Sequence, residues 1–285
     1  MNPATAAAQA ALSDRGEEMF DLFRRPQGRS RPRPDERAVI ESARISKLTV
    51  DGKEAVVYRW GDGARPVLLV HGWESRASRY AKAIARLIDL GYSPVAFDAP
   101  GHGESTGEGT TILEYRDILV ELHREHGDFE AIVAHSFGVT ATFFALQHGV
   151  RTGRIVAISP VPDFAYLVES FCTAAGLSEQ LDEELRGRIE RVVYPGEKDM
   201  WTRFSVFHET ADLAVPLLVI HDDDDRSVDP GQGVRMAEFF RARLVRTRRF
   251  GHQRILGAPQ VVEEIVQFVT SGATEPGRKT EVVAG

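Results

Sequence analysis

A serine, an acidic run and a histidine each follow a short apolar stretch in this sequence, in that chain order. The serine, Ser136, sits in Ala131-Ile132-Val133-Ala134-His135-Ser136-Phe137-Gly138-Val139, which reads as a strand, a sharp turn and a helix start. A hydroxyl on such a turn projects above a sheet at a helix N-terminus, where free N–H groups and the helix dipole favour a developing anion. Small residues at Ala134 and Gly138 let strand and helix approach without clash. The competing role for Ser136 is a plain helix cap. The acidic run is Asp222-Asp223-Asp224-Asp225, and the histidine is His252, which follows Gly251 and the strand-like run Leu244–Thr247. A solvated surface histidine is the competing reading of His252. A serine hydroxyl is a weak nucleophile at neutral pH until an imidazole takes its proton, so the set points to nucleophilic catalysis. The aspartates offer oxygen ligands to Mg²⁺ or Ca²⁺, yet the spacing of an EF-hand loop is absent and no metal is expected.

The elements that must position these groups show as an alternation. Val67–Val70, Val95–Phe97, Ala131–Ala134, Ile155–Ile158 and Leu217–Ile220 are continuous apolar runs, the mark of strands buried on both faces. Between and after them, Tyr80, Ile84, Leu87 and Ile88, and Val261, Ile265, Phe268 and Val269, recur at helical spacing. Strand–helix alternation implies an open α/β sheet, whose ligands and catalytic groups gather at the carboxyl ends of the strands. Ahead of it, Ile45–Val50 and Ala55–Trp60 read as antiparallel strands joined at Asp51-Gly52. From Val161 to Pro216 no strand-like run occurs. Leu181, Leu185, Ile189 and Val192 form a helical stripe there, followed by Trp201, Phe204 and Phe207. This predicts a helical cap over residues 161–214, an ornament on the sheet edge being the alternative. The core then comprises residues 44–160 and 215–271.

Residues 1–43 read as an N-terminal extension. Ala6–Arg25 predicts a helix with Leu12, Met19, Phe20 and Phe23 on one side. The Arg- and Pro-rich stretch Arg24–Arg37 predicts an extended linker. A nucleic-acid arm is set aside for a solvated spacer, because Asp35 and Glu36 follow and no aromatics interleave. The small, polar residues 272–285 are expected to be disordered.

Composition excludes several classes. Apolar residues make up 42% and charged residues 27% of the 285, the balance of a globular chain. A net charge of −7 argues against a general nucleic-acid binder. One cysteine, Cys172, excludes a disulfide framework and reads as a small apolar filler. No stretch approaches a membrane span, and the N-terminus lacks the basic and long apolar regions of an export signal, so a cytoplasmic location is expected.

Five motifs in order resemble the α/β-hydrolase superfamily over about residues 44–270: His71-Gly72-Trp73, Asp98-Ala99-Pro100-Gly101-His102-Gly103-Glu104-Ser105, the Ser136 turn, His221-Asp222-Asp223-Asp224-Asp225-Arg226-Ser227-Val228, and Gly251-His252. The resemblance implies an α/β-hydrolase fold, with a mostly parallel sheet, helices on both faces and the cap inserted between core strands. It implies Ser136 as nucleophile, His252 as base and Asp225 as acid, the aspartates beside Asp225 remaining open because Asp222 stands where the family has glycine. It places oxyanion donors at the backbone N–H groups of Trp73 and Phe137. His71 and His102 are expected to hold loops, and His135 to support the serine turn. The implied activity is hydrolysis of a small-molecule carboxylic ester or thioester through an acyl-enzyme, without cofactor. Acyl transfer on the same triad and non-catalytic ligand binding are the alternatives. Trp73, Phe137 and the cap aromatics suggest an apolar pocket. Arg186, Arg188, Arg191 and Arg203 offer an anion site, or simply the exposed face of an amphipathic helix. A homodimer is one reading of the oligomeric state.

Overall fold

The computed structural model describes residues 3–210, 215–271 and 281–282, with backbone alone at 3–13 and 281–282. It opens with helix α1 (Pro3–Arg24) and a short helix α2 (Arg37–Glu41). Strands β1 (Arg44–Val50) and β2 (Lys53–Arg59) pair antiparallel, with Val50 opposite Lys53. Asp51 and Gly52 take φ of 44° and 71°, the paired positive values that a tight two-residue hairpin needs.

The sheet continues through β3 (Pro66–Val70), β4 (Ser93–Asp98), β5 (Ala131–His135), β6 (Ile155–Ile158), β7 (Leu217–Asp222), β8 (Arg243–Thr247) and the two-residue β9 (Glu281–Val282). Its order is β1-β2-β4-β3-β5-β6-β7-β8-β9, antiparallel at β1–β2–β4 and parallel from β4 onward. Helices α3 (Ala81–Asp89) and α10 (Pro259–Thr270) cover one face; α4 (Ile112–His126), α5 (Phe137–Leu146) and α9 (Pro230–Phe240) cover the other. The pleat divides the core between them. Leu68 and Val70 of β3 join the cluster with α4 and α5, whereas Val67 and Leu69 join the cluster with α3 and α10. The sequence order reverses around β3, with β4 on one side and β5 on the other. That is where an open α/β sheet forms a crevice at its carboxyl edge.

Between β6 and β7 lie α6 (Phe164–Ala174), α7 (Glu179–Arg188) and α8 (Met200–Arg203). Phe164, Val168, Leu185, Ile189, Tyr194 and Phe204 join the α5 side of the core. The expected stripe needs one correction: Val192 is 60% exposed. After α7 the chain widens into a π-turn over Ile189–Val193, closed by the Tyr194 N–H on the Ile189 carbonyl at 3.0 Å. The extra residue in that turn rotates Val192 out of register.

The extension also departs from expectation. Residues 24–37 are not a solvated spacer but are fastened to the core. Glu36 is buried, pairs with Arg79 at 2.6 Å and accepts from Ser78 Oγ at 2.6 Å. Met19 and Phe20 are buried, and Phe23 meets Phe171 at 5.2 Å between ring centres. The expected disordered tail lies outside the described residues apart from Glu281 and Val282. Leu12 also lies outside the described side chains. Among the described residues no helix is long and apolar enough to cross a membrane.

Candidate active site

Ser136 stands between β5 and α5 with φ 54° and ψ −124°, a backbone conformation that costs a side-chain-bearing residue on the order of 1–3 kcal/mol. Two close approaches hold it. A Cβ on Gly72 would lie 2.7 Å from Ser136 Cβ, and one on Gly138 would lie 2.6 Å from the His71 carbonyl, so both positions require glycine. The Ser136 N–H donates to the Ile158 carbonyl at 3.0 Å, tying the turn to β6. No cap bond forms from its side chain. The hydroxyl points elsewhere: Ser136 Oγ lies 3.0 Å from His252 Nε2. On the ring's other side, His252 Nδ1 lies 2.8 Å from Asp225 Oδ2. The structure thus brings Ser136, His252 and Asp225 into one hydrogen-bonded row across residues more than a hundred apart in sequence.

The four aspartates have four different situations. Asp222 is buried and accepts from Thr247 Oγ1 at 2.7 Å and from the N–H groups of Phe250, Gly251 and Asp224 at 3.1, 2.9 and 3.1 Å. It anchors the loop that carries His252. Asp223 pairs with Arg246 and Arg248. Asp224 accepts the Arg249 N–H at 2.8 Å. Asp225 alone reaches the imidazole. Its Oδ1 accepts from the N–H groups of Ser227 and Val228 at 2.8 and 3.0 Å. Burial pushes its carboxyl up, but the bonds from His221, His252 and Val228 outweigh burial and hold it well below the usual carboxylate range. It is therefore a fixed anion at neutral pH.

His221 went unremarked in the sequence as a partner of the acid. Its Nε2 lies 3.3 Å from Asp225 Oδ2, so two histidines share one carboxylate oxygen. The signal was present in the i, i+4 spacing of His221 and Asp225 at a strand end. His135, beside Ser136, donates its Nε2–H to the His252 carbonyl at 2.9 Å and so ties the serine turn to the histidine's loop. Burial holds the His135 ring well below the usual histidine value.

His71 and His102 hold loops. His71 Nε2 accepts the Ala99 N–H at 3.0 Å, and His102 Nδ1 donates to the Pro100 carbonyl at 3.0 Å. Burial lowers their pKa to about 4 and about 3. Asp98 accepts from the Ala77 and Glu104 N–H groups and from Tyr58, which fixes its turn. The loop after β3 lies beside Ser136, and Trp73 meets Phe137 edge-on at 6.4 Å. The backbone N–H groups of Trp73 and Phe137 have no acceptor among the described residues. Cys172 is buried, donates to Asp182 and is pushed up to about 12 by burial. Of the cap arginines, Arg186, Arg188 and Arg203 pair with Asp182, Glu184 and Glu197. Their charges are already matched.

Comparison with known proteins finds a match to the model of the Alpha/beta hydrolase family over residues 67–265. The chain is similar to the non-heme chloroperoxidase CPO-A1 of Kitasatospora aureofaciens, at 29% identity across 50% of this chain and 52% of that one. It is 32% identical to the dihydrolipoyllysine-residue acetyltransferase component of the acetoin cleaving system of Cupriavidus necator, across 50% of this chain and 38% of that one. The chain thus spans about half or less of the length of these curated relatives. Among solved structures, the mouse alpha/beta hydrolase domain-containing protein 10 superposes with a TM-score of 0.62 at 15% identity, covering 80% of this chain and 97% of that one.

Proposed function

The chain belongs to the α/β hydrolase family, and from that premise we propose that it is a serine hydrolase cleaving carboxylic esters or thioesters through an acyl-enzyme on Ser136. The observation that carries this reading is the unbroken row from Ser136 Oγ through His252, at 3.0 Å, to Asp225, at 2.8 Å. His252 Nε2 takes the serine proton as Oγ attacks the substrate carbonyl, then delivers it to the leaving alcohol or thiol. Asp225 accepts from Nδ1–H, fixes the tautomer and stabilises the imidazolium. The tetrahedral oxyanion is received by the N–H groups of Trp73 and Phe137, the second also at the positive end of α5. Water activated by His252 then releases the acid. No step draws on a cofactor.

A fluorophosphonate probe tests the activated serine. Labelling of the folded protein is expected at Ser136 and should vanish in Ser136→Ala together with hydrolysis of p-nitrophenyl esters. Wild-type protein that takes no label and cleaves none of a graded p-nitrophenyl ester or acyl-CoA series would remove the proposal and favour a non-catalytic binding protein. The similarity to an acetyltransferase component supports a second reading, acyl transfer to an alcohol or thiol. Product analysis with and without added acceptors separates the two, since a transferase forms the new ester in preference to free acid.

A further inference from the structure

We propose that residues 27–30 form a strap that positions the oxyanion loop, with Arg29 as its positioning residue; the inference rests on the role given above to Trp73. The strap lies outside the family match, which begins at residue 67. The Arg29 guanidinium donates to four backbone carbonyls, those of His102, Gly103, Ser105 and Gly107. Four converging carbonyl oxygens repel one another. Without that donor the carbonyls of Gly103, Ser105 and Gly107 turn to water, while that of His102 keeps the Ser105 N–H at 3.0 Å. Nη1 donates to the carbonyls of His102, Gly103 and Ser105 and Nη2 to that of Gly107, so the planar fork spans the set from two nitrogens, whereas a lysine ammonium offers its donors from one point.

Two residues earlier, the Gln27 N–H donates to the Glu74 carboxylate at 2.7 Å. Glu74 directly follows Trp73 and has φ 54°, a left-handed conformation that persists only where its surroundings hold it. Trp73 itself packs edge-on against the His102 ring at 5.2 Å, and the His102 carbonyl is one of those Arg29 binds. The strap therefore grips Trp73 on both sides, through Glu74 and through His102. Beyond Arg29 the chain is fastened again, the Ser30 carbonyl accepting from Arg76 at 2.9 Å. Before Gln27 it leads into α1, whose Phe23 meets Phe164 and Phe171 of the cap at 6.1 and 5.2 Å. Cap and oxyanion loop are thus joined through one docked segment. The aimed N–H of Trp73 matters mainly in the transition state, so loosening it should appear in turnover, not in substrate affinity.

The test uses full-length protein carrying 5-fluorotryptophan, whose three indoles report separately by ¹⁹F NMR, with Trp73→Phe giving the assignment. Arg29→Ala is expected to lower kcat on a p-nitrophenyl ester about tenfold with KM within about twofold. It should also shift or broaden the Trp73 resonance while leaving Trp60 and Trp201 in place. Arg29→Lys should recover part of both. Wild-type kcat with an unmoved Trp73 resonance in Arg29→Ala would overturn the proposal. If Arg29→Ala fails to fold, Glu74→Ala decides. It cuts only the Gln27 contact, and a several-fold lower kcat with a shifted Trp73 resonance supports the strap, while no change in either overturns it. A shifted Trp73 resonance in an enzyme whose hydrolysis survives Ser136→Ala keeps the strap and removes the serine mechanism instead.

Discussion

Asp225 differs from its three neighbours in where its carboxylate is directed, and that direction makes separable predictions. Asp225→Asn keeps the shape but cannot orient His252 with the correct tautomer, so kcat on a p-nitrophenyl ester should fall by about 10³–10⁴ with the circular dichroism spectrum unchanged. Asp223→Asn removes partners of two arginines that are 40% and 62% exposed, and kcat should stay within about twofold. Equal losses at both positions would mean the acid is misassigned. Asp222→Asn is a third case. It weakens an anchor that accepts four bonds around the His252 loop, so both thermal stability and kcat should drop. Counting along the motif favours Asp225 and leaves its neighbours open, and it gives no hint of what the others do. Their partners, Thr247, Arg246 and Arg249, come from a strand and loop more than twenty residues later. His221 differs: its partner lies only four residues on, and that spacing becomes a contact because the acid loop turns back over its own strand end.

At the scale of elements, the strands were legible because nearly every residue in β3, β5, β6 and β7 is buried on one face or the other, so composition alone marks them. The strap was not. Arg29 satisfies backbone carbonyls more than seventy residues away, and carbonyls carry no sequence signature. The π-turn at Ile189–Val193 was likewise silent, since a stripe of apolar residues reads the same whether or not one turn widens. The contact between β3 and α5 yields a sharper test. Gly138→Ala puts a methyl within 2.6 Å of the His71 carbonyl and 2.8 Å of the Val70 carbonyl. Backbone atoms in a central strand cannot retreat as a flexible side chain can, so α5 must shift. The expected cost is about 1–3 kcal/mol of stability by chemical denaturation, with kcat reduced because Ser136 rides on that helix. Gly257→Ala, which meets nothing within 4 Å, should change neither. Equal stability of the two variants would refute the close approach as the reason for glycine.

Across the whole molecule, the loops that frame the site rest on histidines held neutral in the interior, and this couples stability to pH. Burial lowers His71 to about 4 and His102 to about 3, while an exposed histidine in the unfolded chain titrates near 6.5. Between those limits the unfolded chain binds the extra protons, so stability rises with pH there and is lost as pH falls from about 6.5. At pH 5 each group costs on the order of 2 kcal/mol relative to neutral pH. Asp222 and Asp225 act oppositely in origin. Their folded values are depressed, so the stability they add is intact above the ordinary carboxylate range, and they are silent between pH 7 and 5. The melting temperature should therefore fall between pH 7 and pH 5 before Asp222 or Asp225 titrates. His102→Asn isolates one contributor, because its amide can still donate to the Pro100 carbonyl but takes up no proton. The variant starts lower at pH 7, having lost the ring's contacts with His71 and Trp73. Its further decline to pH 5 should be smaller than wild type's by about 3 °C. Parallel pH profiles for the two proteins would show that the buried His102 ring is not a source of the acid sensitivity.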